Sequence, residues 1–132
     1  MGMILYHILL YTLYIKLAIM GYDAVFSTTE TKMEGFTVTA YCPCEKCNGR
    51  WKNISIEGYR LKEDFLDNAI NICAVDPKII PLGSYIKYNG ITFWAKDIGG
   101  EIKGKRIDIL LSTHEDTIKF GKKMKQILYK EK

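Results

Sequence analysis

The sequence contains 132 residues, of which 48% are hydrophobic and 26% are charged, so it is ordinary for a globular protein and not for a disordered chain. This length fits one domain with a real hydrophobic core. The formal net charge is +4, from 19 lysines and arginines against 15 aspartates and glutamates. Such an excess suits an anionic polymer as a partner without demanding nucleic acid, and we expect no nucleic-acid partner.

The N-terminal segment, residues 1–27, differs from the rest of the chain. Residues 3–15 are almost all apolar, a run shorter than the roughly 20 residues that a membrane-spanning helix needs. The run matches the apolar part of a secretory signal, and a small-residue cleavage site follows it. We therefore predict an apolar helix that is a signal peptide or a membrane anchor, with membrane association through residues 3–20. The alternatives are a helix packed on the domain, or a true start at Met20 or Met33.

Six later segments have the patterns of β-strands, and polar residues 28–34 predict a linker before them. An Asn-Gly pair at residues 89–90 is the strongest short signal for a hairpin. Thr113 is a candidate N-cap and Gly121 a candidate end for one short helix. Residues 42–68 predict a long irregular excursion, which often binds ligands. The predicted strands are residues 35–41, 69–75, 84–88, 91–96, 106–111 and 123–129.

This order of elements predicts a mainly β fold. Six short strands and one short helix, with no repeated βα unit, favour a small β-barrel. We expect the barrel to be a single domain that covers residues 35–132.

Three aspartates, Asp76, Asp97 and Asp108, each lie beside an apolar run that we predict to be a strand. The three glycines within residues 99–104 allow that loop to fold back, so that Asp97 can meet Asp108. Glycosidic bond cleavage needs a carboxylic acid that protonates the leaving oxygen, usually helped by a second carboxylate. Neighbouring carboxylates or burial raise the pKa of one of them. The alternative is that these aspartates only cap turns and strand ends.

Six short motifs occur in a fixed order between residues 36 and 129. They are Thr39-Ala40-Tyr41-Cys42, Ala74-Val75-Asp76-Pro77, Ile80-Pro81-Leu82-Gly83, Ala95-Lys96-Asp97-Ile98-Gly99-Gly100, Ile102-Lys103-Gly104 and Arg106-Ile107-Asp108. This arrangement resembles the 3D domain, a family named for its three aspartates and related to the catalytic domain of MltA-type murein lytic transglycosylases. The resemblance implies a six-stranded double-psi β-barrel that cleaves the glycan strands of peptidoglycan.

The resemblance also implies a role for each aspartate. Asp108 corresponds to the acid/base, Asp97 to the assisting carboxylate and Asp76 to the third member of the cluster. The implied enzyme cleaves the MurNAc–GlcNAc bond and leaves 1,6-anhydro-MurNAc ends, for cell-wall turnover or lysis. A hydrolytic muramidase is the alternative outcome. The second hypothesis is a non-catalytic module that binds cell-wall glycan and has a loop stapled by cysteines or zinc.

We expect the substrate to contact Tyr41, Trp94, Gly99, Gly100 and Lys103. For the aromatic residues, packing in the barrel is the alternative. The expected partner is a peptidoglycan glycan strand, bound by a monomer without a cofactor. The expected location is the cell wall, as a secreted or membrane-anchored protein, with a phage-encoded wall-degrading protein as the alternative.

The four cysteines are Cys42, Cys44 and Cys47, in a C-x-C-x-x-C pattern, and Cys73. In an exported protein an even number of cysteines favours disulfides. We expect structural thiols that staple the long excursion, and no metal. A zinc site with Cys73 as the fourth ligand is the alternative. His114 lies in the predicted helix cap, away from any nucleophile motif.

Overall fold

The computed structural model describes residues 2–22 and 31–130, with the backbone alone for residues 14–22. The predicted N-terminal helix is present as α1 (Gly2–Tyr22), and its described side chains are exposed. Within the described residues, no helix has both the length and the apolar character that crossing a bilayer requires. The role of residues 1–27 as a signal peptide or an anchor stays a prediction.

Six strands form the body of the molecule. They are β1 (Thr31–Tyr41), β2 (Ile72–Val75), β3 (Tyr85–Tyr88), β4 (Ile91–Asp97), β5 (Arg106–Leu110) and β6 (Lys123–Lys130). They close into a barrel in the order β1-β5-β2-β4-β3-β6. The pairs β1/β5 and β2/β4 are parallel and the others antiparallel, so the chain crosses over between strands. The predicted mainly β, six-stranded barrel is confirmed.

Two strand boundaries differ from the prediction. β1 begins at Thr31, so residues 31–34 are strand and not linker, while residues 28–30 lie outside the described residues. That part of β1 pairs with β6 but is largely exposed, so it lacks the apolar alternation that marks a half-buried strand. β2 begins only at Ile72, because Ala69 has a φ of +54° and ends a helical turn.

The predicted hairpin and helix are present. Asn89 and Gly90 have φ values of +49° and +76°, which suit the tight turn between β3 and β4. Thr113 caps α3 (His114–Phe120), because its side-chain oxygen accepts a hydrogen bond of 3.1 Å from the backbone N–H of Asp116. Gly121 follows the helix with a φ of +68°.

Alternate residues of every strand fill the barrel interior, which we call the barrel core. On β5, for example, Ile107 and Ile109 point inward, whereas Asp108 lies on the outer face. The buried members of the barrel core are Phe36, Val38, Cys73, Val75, Ile80, Ile86, Tyr88, Phe93, Ala95, Ile107, Ile109, Ile127 and Tyr129. This apolar set fixes the register, since a slip of one residue would turn each strand inside out.

The long loop, residues 42–71, covers part of the outer face. It contains the four-residue helix α2 (Glu45–Asn48) and three short helical turns, so the predicted irregular excursion is more ordered than expected. Leu61 and Phe65 are its buried anchors. They pack in an outer cluster made of Tyr41, Leu61, Phe65, Ile72, Ala74, Ile102 and Leu110. The loop is therefore held over β1, β2 and β5.

Candidate active site

One row of residues crosses four neighbouring strands on the outer face. In the sheet register, Thr39 on β1 lies opposite Asp108 on β5. Ala74 on β2 then lies between Asp108 and Asp97 on β4. Because neighbouring strands are ~4.8 Å apart, the backbones of the two aspartates are separated by roughly 10 Å. The side chain between them is only a methyl group, which leaves a groove between the two carboxylates.

A β-bulge turns Asp97 toward this groove. Ala95 on the same strand points into the barrel core, and strict alternation would send Asp97 inside as well. The register between β2 and β4 shifts, so that Ala95 lies opposite Cys73 but Asp97 lies opposite Ala74. Inserting one residue in this way re-aims a side chain to the other face.

The groove opens into a cavity of about 510 Å³, which is in the usual range for small-ligand sites. Asp97 and Asp108 both line it. The strands form its floor, the long loop forms one wall, and the segment that joins β4 to β5, residues 98–105, forms another. We call that segment the glycine loop. The lining residues are Tyr41, Cys47, Asn48, Trp51, Ile54, Ser55, Ile56, Ala74, Asp97, Ile98, Gly99, Gly100, Glu101, Ile102, Lys103, Arg106 and Asp108.

Asp97 is only 4% exposed, and its carboxylate accepts three hydrogen bonds. The hydroxyl of Tyr41 donates to Oδ2 at 2.9 Å, and the backbone N–H groups of Ile56 and Ile98 each donate to Oδ1 at 2.9 Å. Burial raises the pKa of Asp97 above its ordinary value, and the three donors oppose that rise. Burial and the nearby Asp97 also raise the pKa of Tyr41, which therefore keeps its proton and remains a donor.

Asp108 has a different environment, because it is half-buried and accepts a hydrogen bond from the side chain of Thr39. The hydroxyl of Thr39 donates to its Oδ1 at 2.9 Å. Burial raises the pKa of Asp108 to about 6, and the charge of Asp97 adds to the rise, while Thr39 and Arg106 oppose it. A carboxyl group with this pKa is partly protonated near neutral pH and can donate a proton.

Arg106 lies beside Thr39 and Asp108 and also lines the cavity. One terminal nitrogen donates to the oxygen of Thr39 at 3.4 Å, and the other to the carbonyl of Glu101 at 3.4 Å. Its Nε is buried without a hydrogen-bond partner among the described residues. A buried donor left unpaired is costly, so this nitrogen suits an acceptor oxygen of a bound ligand.

Asp76 does not join the other two aspartates in the cavity lining. Its carboxylate accepts hydrogen bonds from the backbone N–H of Gly104 at 2.8 Å and of Lys78 at 3.0 Å. These bonds, led by the one from Gly104, hold its pKa below the ordinary value. Asp76 therefore fastens one end of the glycine loop, in contrast to the predicted cluster of three.

Four of the five predicted substrate contacts line the cavity: Tyr41, Gly99, Gly100 and Lys103. Glycine suits position 99 because the side chain of Ile102 packs closely against it, and a Cβ there would lie 2.9 Å from Cγ1 of Ile102.

Trp94 is the exception among the predicted contacts, because it is absent from the cavity lining. Its indole N–H donates to the carbonyl of Gly83 at 3.2 Å, and its ring stacks on Tyr85 with centroids 6.1 Å apart. The Nζ of Lys96 lies 4.2 Å from the ring centroid. These contacts support the alternative of packing for this residue.

Sequence reasoning missed three strand residues of the site. Thr39, Ala74 and Arg106 belong to the recognised motifs, but their meeting depends on the order in which the strands close. The wall from the long loop includes Trp51, which is 59% exposed, and Ile56. The predicted excursion of residues 42–68 therefore does contribute residues to the cavity, as such loops often do.

The cysteines divide into two groups. Cys42, Cys44 and Cys47 lie at the start of the long loop, together with His114 at the start of α3. Cys73 lies in the barrel core, fully buried, where burial raises the pKa of its thiol. The predicted grouping of Cys73 with the other three is therefore wrong, because inward alternation on β2 separates it from the loop. All four cysteines are free.

Comparisons with known proteins show which sequences this chain is similar to. Residues 71–129 match the family model of the 3D domain. In Bacillus subtilis (strain 168), the SPbeta prophage-derived uncharacterized protein YorM is 38% identical over 89 residues, which cover 64% of this chain and 35% of YorM. The putative cell wall shaping protein YabE is 35% identical over 91 residues, which cover 67% of this chain and 21% of YabE.

A third relative from the same organism, the cell wall-binding protein YocH, is 42% identical over 53 residues, which cover 39% of this chain and 18% of YocH. The chain thus spans about a third or less of the length of these three relatives.

Proposed function

Residues 71–129 belong to the 3D domain family, and from this premise we propose that the chain is a peptidoglycan-degrading enzyme. The proposed activity is that of a lytic transglycosylase, which cleaves the MurNAc–GlcNAc bond and leaves a 1,6-anhydro-MurNAc end. The names of two relatives, a putative cell wall shaping protein and a cell wall-binding protein, support a cell-wall-related function. The site residues and their roles are part of the proposal.

In the proposed mechanism, Asp108 acts twice. As a neutral acid it donates its proton to the glycosidic oxygen, the bond from C1 of MurNAc to that oxygen breaks, and positive charge develops at C1. As a carboxylate it then takes the proton of the C6 hydroxyl of MurNAc, and the C6 oxygen bonds to C1. The proton that left Asp108 is thereby replaced, and no water is consumed.

Asp97 has the electrostatic role in this proposal. Its ionised form, which Tyr41 and two backbone N–H groups favour, stabilises the positive charge that develops at C1. Arg106, with its unpaired Nε, and Lys103 supply donors for the acetamido and carbonyl oxygens of the glycan. Trp51 and Ile56 of the long loop supply apolar surface for the sugar rings.

The observation that carries the proposal is the contrast between the two carboxyl groups of one cavity. Asp108 has its pKa raised to about 6 and few hydrogen bonds, whereas the carboxylate of Asp97 is held by three donors. Glycosidases use such a pair, one member protonated and the other ionised, on either side of the scissile bond.

The test is incubation of the full chain with purified peptidoglycan, followed by mass spectrometry of the released fragments. We expect anhydro-muropeptides from the native protein and none from Asp108→Asn. Reducing ends in their place would establish the hydrolytic muramidase instead. If neither product forms between pH 4 and 8, the enzyme proposal is wrong.

A second candidate function is a non-catalytic module that binds cell-wall glycan. The name of the relative YocH, a cell wall-binding protein, favours it. Sedimentation with insoluble peptidoglycan distinguishes the two. A module that only binds would sediment with the wall and release no fragments, and Asp108→Asn would leave its binding unchanged.

The proposed location is the cell wall, reached as a secreted or membrane-anchored protein. The similarity to a prophage-derived protein supports the alternative of a phage-encoded wall-degrading protein.

A further inference from the structure

Four side chains that the proposed reaction does not use meet at the edge of the long loop. They are Cys42, Cys44, Cys47 and His114, whose sulfur and ring-nitrogen atoms all lie within 4.8 Å of one another. The sulfur of Cys42 is 2.9 Å from that of Cys44 and 3.4 Å from that of Cys47. Nδ1 of His114 is 3.7 Å from the sulfur of Cys44 and 3.2 Å from that of Cys47.

These separations are close to those of a metal site. In tetrahedral zinc sites the metal lies ~2.3 Å from sulfur and ~2.0–2.1 Å from nitrogen, so two ligand atoms are roughly 3.5–3.8 Å apart. The separation of 3.7 Å lies within this range, and those of 2.9, 3.2 and 3.4 Å are somewhat shorter. We propose that Cys42, Cys44, Cys47 and His114 bind one Zn²⁺ through the three sulfur atoms and Nδ1.

The composition of the cluster favours a metal over disulfide bonds. Three thiols cannot all pair with each other, and the fourth cysteine, Cys73, is fully buried in the barrel core. A disulfide would therefore leave one thiol and the imidazole of His114 without a role. Three thiolates and one imidazole are a common ligand set of structural zinc sites, and soft thiolates select zinc over magnesium or calcium.

A site with four protein ligands is closed, because no position remains for water or substrate. Such sites are structural and not catalytic. On binding, each thiol gives its proton to solvent and its sulfur forms a bond to the metal, so neither oxidation nor reduction is involved.

The site would join two parts of the molecule that are distant in sequence, the start of the long loop and the start of α3. Cys42 follows β1 directly, Cys44 and Cys47 belong to the first turn of the long loop, and His114 begins α3. The backbone N–H of Cys47 also donates to the sulfur of Cys44 at 3.4 Å, an arrangement that would orient that ligand. Because Cys47 lines the cavity, the metal would fix one edge of it.

The test is the zinc content of the full chain, purified in a reducing buffer without chelator. We expect one zinc per chain in the native protein. We also expect one in two control variants, His7→Asn, which changes the other histidine, and Cys73→Ala, which changes the other cysteine. His114→Ala should lower zinc affinity in chelator competition by more than the ~10–100-fold that loss of an outer partner costs.

A second variant keeps the test decisive if His114→Ala does not fold. His114→Cys should retain one zinc and, with Co²⁺ in place of zinc, should show a stronger thiolate-to-cobalt absorption than the native protein. The proposal is wrong if the native protein contains no zinc and takes up none when zinc is added. It is also wrong if His114→Ala binds zinc as tightly as the native protein, or if His114→Cys leaves the cobalt spectrum unchanged.

Discussion

The barrel core and the long loop are stabilised in different ways. The barrel core contains 13 buried side chains, all but Ile80 from strands that pair on both sides, and its stability comes from apolar burial. The long loop contributes only Leu61 and Phe65 as buried apolar anchors. Its polar fixed points include the hydrogen bond from the backbone N–H of Ile56 to Asp97 and the cluster of Cys42, Cys44, Cys47 and His114.

This difference separates the fold from the site. The barrel core includes no residue of the long loop, whereas the cavity is lined by residues of both the barrel and the loop. Substitutions in the barrel core should therefore change stability first, and substitutions in the row of residues or in the loop should change activity first. The following predictions test this division, from the largest expected effect to the smallest.

The largest effect is expected for Asp108→Asn, which removes the proton donor and keeps the shape of the side chain. Release of anhydro-muropeptides should fall ~10³-fold or more, within the upper range of general acid–base contributions. If this variant kept a tenth of the native activity, Asp108 would not be the proton donor.

The same variant should be more stable than the native protein at pH 7. The pKa of Asp108 rises from 3.8 to about 6 on folding, so its contribution to stability is complete below pH 4 and is lost as the pH rises through 6. Ionisation of this partly exposed group therefore lowers the free energy of unfolding by about 2 kcal/mol at pH 7. Thermal unfolding at pH 4 and pH 7 should show that Asp108→Asn removes this pH dependence.

The next effect concerns the gap between the carboxylates. Ala74→Val would place two additional methyl groups between Asp97 and Asp108 and should lower activity about 100-fold, the scale of a misplacement of ~1 Å. Ala74→Ser, which is similar in size to the native residue, is the matched control and should stay within a few-fold. Activity per folded molecule is the quantity to compare, with circular dichroism to measure the folded fraction. Equal losses in both variants would contradict this account of the groove.

Two fully buried residues then compare the core with the loop directly. Ile127→Ala, in the barrel core, should lower the free energy of unfolding by about 2–5 kcal/mol and leave activity per folded molecule unchanged. Leu61→Ala, in the long loop, should lower activity about tenfold and increase hydrogen exchange of the loop amides while the amides of β5 stay protected. If both variants lost stability and activity in the same proportion, loop and barrel would be one unit.

The smallest effect is expected for Asp76→Asn. This side chain fastens the glycine loop through the N–H groups of Lys78 and Gly104 and does not line the cavity. We expect activity to fall only a few-fold, with the same pH dependence as the native protein. Asp97→Asn, the matched variant inside the cavity, should lower activity at least 100-fold more. If Asp76→Asn lowered activity as much as Asp97→Asn, the result would support a catalytic cluster of three aspartates.

Local patterns in the sequence predicted most of the strands, but not their edges. Alternation marked β5, and the Asn-Gly pair marked the turn between β3 and β4. Residues 31–34 were missed because they form a strand by pairing with β6 and not by burying an apolar face. The pairing of distant strands, and hence the barrel order, has no local signal.

The candidate site was predicted only in part for the same reason. The motifs and the resemblance to the 3D domain pointed to Asp97 and Asp108, which share the cavity. Asp76 carries the same motif signal, but its carboxylate accepts hydrogen bonds from two backbone N–H groups and does not line the cavity. His114 could not be connected to the cysteines from sequence, since it begins a helix after β5 and they follow β1.

The most direct test of the central idea, that Asp108 is the proton donor for glycosidic cleavage, is the pH dependence of kcat/KM on soluble glycan fragments. Cleavage requires the protonated form, so kcat/KM should fall as the pH rises, with an apparent pKa of about 6. On the acidic side it should fall as Asp97 becomes protonated. A rate that stays constant from pH 5 to 8 would contradict the assignment of Asp108 as the acid.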